Sequence, residues 1–515
     1  MTTPRKKTIS VLTWFCGAVL TAGVLDAAAT AWTSGAPIPV GTADRRGPLS
    51  AGLTSFPVGY ARVTGAKQPD LFAVAGKFSP EPGLYLYPWK ATTASGVPVF
   101  GERQAIRHPL GNIDRPVCTI VEEGGVTWGF FVQGSEIIHA RFDRDKREFV
   151  ETSRQALTGL PRAPQAIAAL PRAGGGWSFV VSVPDGNDRR PPGAGSRDMN
   201  YVPFDGAGIW RGGTPRFSLW VYAAGSEPKL ISRPGEEILW NAGTLSRARF
   251  DANHPNDVIS GSWFGDIYYY RSNSEKDGSF EQRRHAVGDN GIVLRHPLAG
   301  VYPLAYPNPR TGLSDLIAGG EGGLHFYQFT GRFDSQGRPV FRQPVPVLEE
   351  NARLFAGSLS VPTVVDWDGD GALDIVAGNS EGRILFFRNL GSNRLPAMAP
   401  SVALRAGGRE IHMQPGYKGD IQGPGEARWG YISPNVFDWN GDGLPDILAS
   451  DSTSRHYVFL NRGTKRAPGL DLDRTLYLDG LDLHGTWRVR PGVGKMDGRV
   501  AYIALDDQDQ FHRYW

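Results

Sequence analysis

Short apolar runs alternate with Gly, Pro, Asn and Asp along the chain, and several of them repeat. Residues 364–377 and 436–449 nearly superimpose, from Val364-Val365-Asp366-Trp367 to Ile375-Val376-Ala377 and from Val436-Phe437-Asp438-Trp439 to Ile447-Leu448-Ala449. Each leads into a second run, Ile384-Leu385-Phe386-Phe387 and Tyr457-Val458-Phe459-Leu460. Looser copies begin at Asp70-Leu71-Phe72, Asp257-Val258-Ile259 and Asp315-Leu316-Ile317, with weaker ones at Trp128, Trp177 and Val500. A period of about 60 residues marks a repeat architecture in which neighbouring units bury one another's apolar faces.

The runs are too short for helices, and their Gly and Pro boundaries suit strands. Each unit is therefore expected to supply four strands, A to D. In the first unit they fall near residues 60–63, 71–75, 84–88 and 97–100. The eighth unit has A near Trp487, B near Val500 and C from Phe511, and then the chain stops. A fourth strand for it is available at Pro37–Val40. The prediction is an all-β, eight-bladed β-propeller of four-stranded blades closed by an N-terminal strand, with seven blades as the alternative. Closure protects sheet edges that would otherwise stay open.

Composition agrees. The chain has 515 residues with 66 Gly and 39 Pro, against 21% charged residues and 14 Trp. Disorder requires more charge and fewer aromatics. The formal charge is +3, too small for a polyanion-wrapping surface. Residues 1–31 read as a signal peptide: Arg5, Lys6 and Lys7, an apolar run from Ile9 to Leu25, then Ala29-Thr30-Ala31. Its removal leaves a nearly neutral chain (residues 32–515) in one propeller domain, secreted or periplasmic. An uncleaved N-terminal membrane anchor is the alternative. Cys118 is then the one remaining thiol, and it reads as a buried strand residue.

Two loops carry carboxylates at alternate positions: Asp366, Asp368, Asp370 and Asp374 in one, Asp438, Asn440, Asp442 and Asp446 in the other. Such clusters repel without a cation, and alternate spacing turns the oxygens toward one centre. The carbonyls of Ala372 and Leu444 are natural further ligands. Ca²⁺ takes six to eight oxygens, so the loops suit it. Position 12 is Ala377 or Ala449 rather than Glu, which excludes an EF-hand. These residues, with the strand and Asn-x-Gly that follow, resemble the FG-GAP or VCBS repeat. The resemblance is close for residues 361–392 and 433–464. It implies a β-propeller of the integrin α-subunit kind, with two structural Ca²⁺ ions in the A–B loops.

Propeller topology puts A–B turns on one face and B–C loops with D-to-A connections on the other. Two insertions, about 184–215 and 407–431, both fall on the second face, and long loops on a rigid scaffold commonly carry function. Together with the D-to-A connections they supply His108, His296, His412, Tyr201, Tyr417, Arg428 and Glu426 as candidate catalytic groups. Arg197, Asp198, Trp210, Arg211, Trp429 and Arg295 are candidates for holding a ligand. Aromatic rings stack on sugars and Arg grips carboxylates. The expected partner is a carbohydrate polymer or cell-surface ligand, with no nucleic acid and a monomeric chain. A polysaccharide lyase is favoured over a glycoside hydrolase, and a non-catalytic adhesion module is the alternative.

Overall fold

In the computed structural model, the described residues are 37–50, 55–172, 174–185, 216–223, 225–233, 236, 238–239, 244–273, 278–416, 426–471, 474–485, 488–506 and 508–515. The predicted signal peptide lies outside them, as do residues 186–215 and 417–425 of the two insertions. Among the described residues no helix is long and apolar enough to cross a membrane.

The repeats form antiparallel sheets whose strands follow in chain order. Sheet 1 runs Ser55–Ala61, Asp70–Ala75, Gly83–Tyr87 and Gln104–Ala105. Sheet 2 runs from Cys118–Glu123 to Glu148–Ala156, and sheet 3 from Ala166–Pro171 to Lys229–Leu230. Sheet 4 spans Leu245–Ala248 to Arg284–His285, and sheet 5 spans Val301–Pro307 to Val345–Pro346. Sheets 6 and 7 follow, from Val361–Val365 to Val402–Ala403 and from Ser433–Phe437 to Arg474–Thr475. Sheet 8 has three strands, Gly492–Met496, Arg499–Leu505 and Phe511–Tyr514.

The sheets do not make a single ring of eight. Strand B of each sheet is apolar on both faces, and alternate residues serve alternate neighbours. Phe72 packs with Ile120 and Phe131 of sheet 2, whereas Leu71 packs with Ile317 and Phe326 of sheet 5. Phe130 and Phe179 join sheets 2 and 3, Val180 and Val258 join 3 and 4, and Ile259 and Leu316 join 4 and 5. The circuit therefore closes at five. The Tyr306 hydroxyl donates across the closing seam to the Pro69 carbonyl at 2.6 Å.

Glycine records the same closure. A Cβ at Gly261 would lie 2.0 Å from the Val301 carbonyl oxygen of the next sheet, and one at Gly319 would lie 2.1 Å from that of Ser55. Only a residue without a side chain permits this approach. Gly378 makes the equivalent approach to Ile432, at 2.0 Å, between sheets 6 and 7. Sheets 6, 7 and 8 form a separate lobe, buried through Val376 with Ile447 and through Leu448 with Tyr502.

The N-terminal segment is also placed differently from the expectation. Pro39 bridges Arg353 and Val40 bridges Met398, beside sheet 6 rather than sheet 8. Sheet 8 shows no fourth strand among the described residues. Residues 97–100, expected as strand D of the first unit, instead pair with Trp89–Thr92 and Leu348–Glu349 in a small sheet of their own. Gly47–Pro48 completes that sheet as a strap between ring and lobe.

One feature unites both bodies. The Asp that opens strand B accepts the amide that follows strand C, at Asp70–Trp89, Asp257–Ser272, Asp315–Phe329, Asp374–Asn389 and Asp446–Asn461, all at 2.7–2.8 Å. The repeated aspartate is first a clamp between the A–B and C–D corners. It satisfies backbone donors that a turn would leave unpaired.

Candidate functional site

The second insertion leaves sheet 6 as a tight hairpin, Arg405–Ala406 with Arg409–Glu410, and returns through a 3₁₀ turn at Glu426–Arg428. It seats on the B–C turn of sheet 6. The Met413 amide donates to the Gly382 carbonyl at 2.9 Å and the Gly430 amide to that of Ser380 at 2.7 Å. Gln414 ties the insertion to the ring, donating to the carbonyls of Pro297 (3.1 Å), Glu381 (3.1 Å) and Arg428 (2.8 Å). The second insertion thus meets the sheet 4-to-5 connection at the junction of ring and lobe, whereas the expected convergence of the two insertions involves residues 186–215, which lie outside the described residues.

At the junction the Arg428 guanidinium donates to the His296 carbonyl. Arg295 pairs with the buried Asp266 at 3.0 Å. Burial pushes the Asp266 carboxyl up, opposed by Arg295 and Arg428. Trp429 stands perpendicular to Trp263, 6.5 Å between centroids, and the Arg488 guanidinium lies 4.0 Å from the centre of the Tyr431 ring. Glu321 accepts from the Ser358 hydroxyl at 3.2 Å, and burial raises its pKa.

His296 is not placed for acid–base catalysis. It is fully buried, its Nδ1 lies 2.9 Å from the Tyr327 hydroxyl, and the His325 ring stands edge-on at 5.0 Å. Burial, with His325 and Arg428 adding to it, holds its imidazole neutral well below its ordinary titration range. It supports the junction. His108 lies apart from this cluster, stacked on Phe131 at 5.9 Å. Tyr201, Tyr417, Arg197, Asp198, Trp210 and Arg211 lie outside the described residues, as does the Glu426 side chain.

His412 keeps 35% of its side chain exposed, with Nε2 3.6 Å from Glu381. Burial and the neighbouring Arg383 lower its pKa. Arg383 binds both Glu381, at 2.7 Å, and Glu410. Glu381, Arg383 and Glu410 line a cleft of about 330 Å³ between sheets 5 and 6, whose other walls include His325, Pro297, Pro344 and Phe355; His412 stands behind Glu381, outside the lining. Sequence reasoning missed Glu381, Arg383 and Glu410. A signal existed: Glu321-Gly322 and Glu381-Gly382 occupy the same B–C turn of successive repeats.

On the opposite corner of sheet 6, oxygens of Asp366, Asp368 and Asp374 lie within 4.8 Å of one another and could hold a metal ion. Asp366 Oδ1 is buried without a hydrogen-bond partner, so the donor set fits a cation. Arg388 meanwhile pairs with Asp368 at 2.7 Å and Asp370 at 3.1 Å. Asp370 accepts the Ala372 amide at 2.9 Å, which with Arg388 holds its pKa down. In the second loop the Asp438 oxygens accept the amides of Gly441 and Gly443, at 2.8 and 3.1 Å. Asn440 donates to Asp442 at 2.8 Å, and Asp442 accepts the Leu444 amide at 2.9 Å. Asp446 is drawn inward to its backbone donors, and burial raises its pKa.

No family model and no curated protein matches the chain. Among solved structures it is similar to a GH43_1 enzyme from Xanthomonas citri, at 10% identity and a TM-score of 0.35, over 60% of this chain and 96% of that one. It is also similar to CoXyl43, a β-xylosidase/α-arabinofuranosidase from a compost microbial metagenome, at 10% identity and TM-score 0.32, over 59% and 98%. A periplasmic gluconolactonase from Pseudomonas aeruginosa aligns at 11% identity and TM-score 0.27, over 80% and 96%.

Proposed function

We propose that the protein is an exported, calcium-stabilised β-propeller protein of FG-GAP/VCBS type that binds a carbohydrate polymer in the cleft between sheets 5 and 6. The observation carrying this reading is the cleft itself, in which Glu381, Arg383, Glu410 and His325 face a wall of Pro297, Pro344 and Phe355. Sugars present hydroxyls at their edges and apolar C–H faces, and a wall of this mixed kind suits both.

The same groups redirect the expected chemistry. Elimination on a uronate needs a cation to neutralise the sugar carboxylate. Arg383 is held by two carboxylates and Arg428 by a carbonyl. Two acidic side chains flanking one site are instead the requirement for glycoside hydrolysis. Glu381 and Glu410 would carry it, with His412 positioning Glu381.

In the acidic loops, Asp366, Asp368 and Asp374 would hold Ca²⁺, which would neutralise the loop and pin it to strand B. The test of function is a panel of neutral and acidic polysaccharides. Binding is read by affinity electrophoresis, hydrolysis by new reducing ends and elimination by absorbance at 235 nm. Retarded migration on neutral glycans, lost in Glu381→Gln/Glu410→Gln, is expected. Silence on every glycan, or a signal confined to 235 nm, overturns the reading.

A further inference from the structure

A second pocket, of about 540 Å³, lies between sheet 1 and the strap, and it shares no lining residue with the cleft. Lys90, Glu102 and Arg103 come from the C-to-D excursion of sheet 1, and Glu349, Glu350 and Arg353 from the segment after sheet 5. Asn351, in the same wall, has a φ of 56°. Asn adopts left-handed backbone more readily than other residues with a side chain. Here it turns the chain between Glu350 and Arg353 toward the pocket.

The groups differ in what they still have to offer. Arg103 is committed to Glu81 at 3.0 Å and lies over the Tyr85 ring at 4.4 Å. Arg353 reaches Glu102 at 3.8 Å. Lys90 makes no ion pair among the described residues. It lies across Gly101, where a Cβ would come within 2.6 Å of its Cε. Glu349 is half-buried, in register with Gly47 on one side and Phe100 on the other. Burial pushes its carboxyl up to about 7, Glu102 pushes the same way, and Arg353 and Arg103 oppose it. The backbone amide of Ser50 also faces it.

With Glu349 uncharged, Lys90 and Arg353 balance Glu102 and Glu350 in the lining, while Arg103 is neutralised by Glu81, which lies outside it. A charged ligand gains nothing from such a site. The pocket is dense in hydrogen-bonding groups, as a polyhydroxylated ligand requires, and its volume is that of an ordinary small-molecule site. We propose that this pocket is a second saccharide site for a neutral sugar, in which Glu349 donates a hydrogen bond to a ligand hydroxyl while Glu102 and Glu350 accept and Lys90 donates. The site does not depend on the reading of the cleft.

The experiment titrates xylose, glucose and cellobiose into the full chain between pH 5 and 9, by calorimetry and saturation-transfer NMR. Binding of at least one sugar is expected, falling roughly tenfold between pH 6 and pH 8 as the donor proton is lost. Glu349→Gln keeps an N–H donor, so it should bind as the wild type does at pH 6 and show no fall at pH 8. Glu349→Ala should lose binding throughout. Sugar bound in the cleft is set aside by repeating the titrations in an Arg383→Ala background, where the Glu349-dependent binding should persist. Absence of binding by all three sugars at pH 6 overturns the proposal. So does an equal pH dependence in wild type and Glu349→Gln, or binding that Arg383→Ala abolishes. Should Glu349→Ala fail to fold, the Glu349→Gln profile decides alone.

Discussion

Asp257 offers a direct test of the clamp that recurs through the repeats. It is fully buried, accepting the Ser272 amide at 2.8 Å, the Ser272 hydroxyl at 3.2 Å and the Tyr269 hydroxyl at 2.7 Å. Burial outweighs these donors and pushes the carboxyl from 3.8 to about 6. Below 3.8 the group is protonated in both folded and unfolded chains and costs nothing. As pH rises toward 6 the unfolded chain releases its proton first, so folding loses ground. Above 6 the loss is complete, at about 3 kcal/mol. Asp257→Asn removes the titration. Its carbonyl keeps the Ser272 amide, and its NH₂ can donate to a Tyr269 hydroxyl turned to accept. The variant should therefore match the wild type within about 1 kcal/mol at pH 4 and exceed it by about 2–3 kcal/mol at pH 8. Asp257→Ala, which strands three donors, should lose about 2–4 kcal/mol at pH 4. Urea unfolding at fixed pH, followed by near-ultraviolet circular dichroism, reads both. An advantage of Asn over Asp that stays constant or shrinks from pH 4 to pH 8 would refute the burial argument.

Three further outcomes follow from the seams and the acidic loops. Gly319→Ala puts a methyl against the Ser55 carbonyl and should cost about 1–3 kcal/mol or more, seen as faster amide exchange in sheets 1 and 5. The matching Gly378→Ala should loosen sheets 6 and 7 alone. Tyr306→Phe leaves the Pro69 carbonyl buried without its donor and should cost about 1–3 kcal/mol, with a lower melting temperature and little change in the near-ultraviolet spectrum. EDTA should lower the melting temperature and added Ca²⁺ restore it, while Asp366→Ala should melt low with or without Ca²⁺; an EDTA-insensitive melt would count against a bound cation.

The strand order was readable because strand B carries apolar residues on both faces and, in sheets 1, 4, 5, 6 and 7, an Asp stands at its start. The acidic loops were readable for a similar local reason, since their spacing is itself the geometry. Ring size was not. Nothing in Leu71 or Ile317 alone says that they meet, and a period of about 60 residues is compatible with many closures. The evidence lay in small residues such as Gly319, whose meaning depends on what stands opposite. The site was half legible. Arg428, Trp429, Arg295 and His412 do assemble, because the insertion that carries most of them crosses from lobe to ring. His296 assembles with them but is spent on the interior, a distinction of burial that residue type does not report. Glu381, Arg383 and Glu410 went unnoticed because a short B–C turn looks like any other until the cleft above it is seen.

Closure at five has a temporal consequence. A chain emerging from the ribosome can pair the strands within each sheet as they appear, but Ser55 must wait for Gly319 before the ring has a last seam. Until then Leu71 and Tyr85 face water beside an open edge. Contacts this distant in sequence are slow to form, and partly built arrays are prone to associate. The three-sheet lobe carries no such debt, since each of its sheets meets its predecessor as soon as it is made. Biogenesis of this protein should thus be limited by its ring rather than by its lobe. A chaperone would find its client in the unclosed ring, and a protease in the end of the lobe.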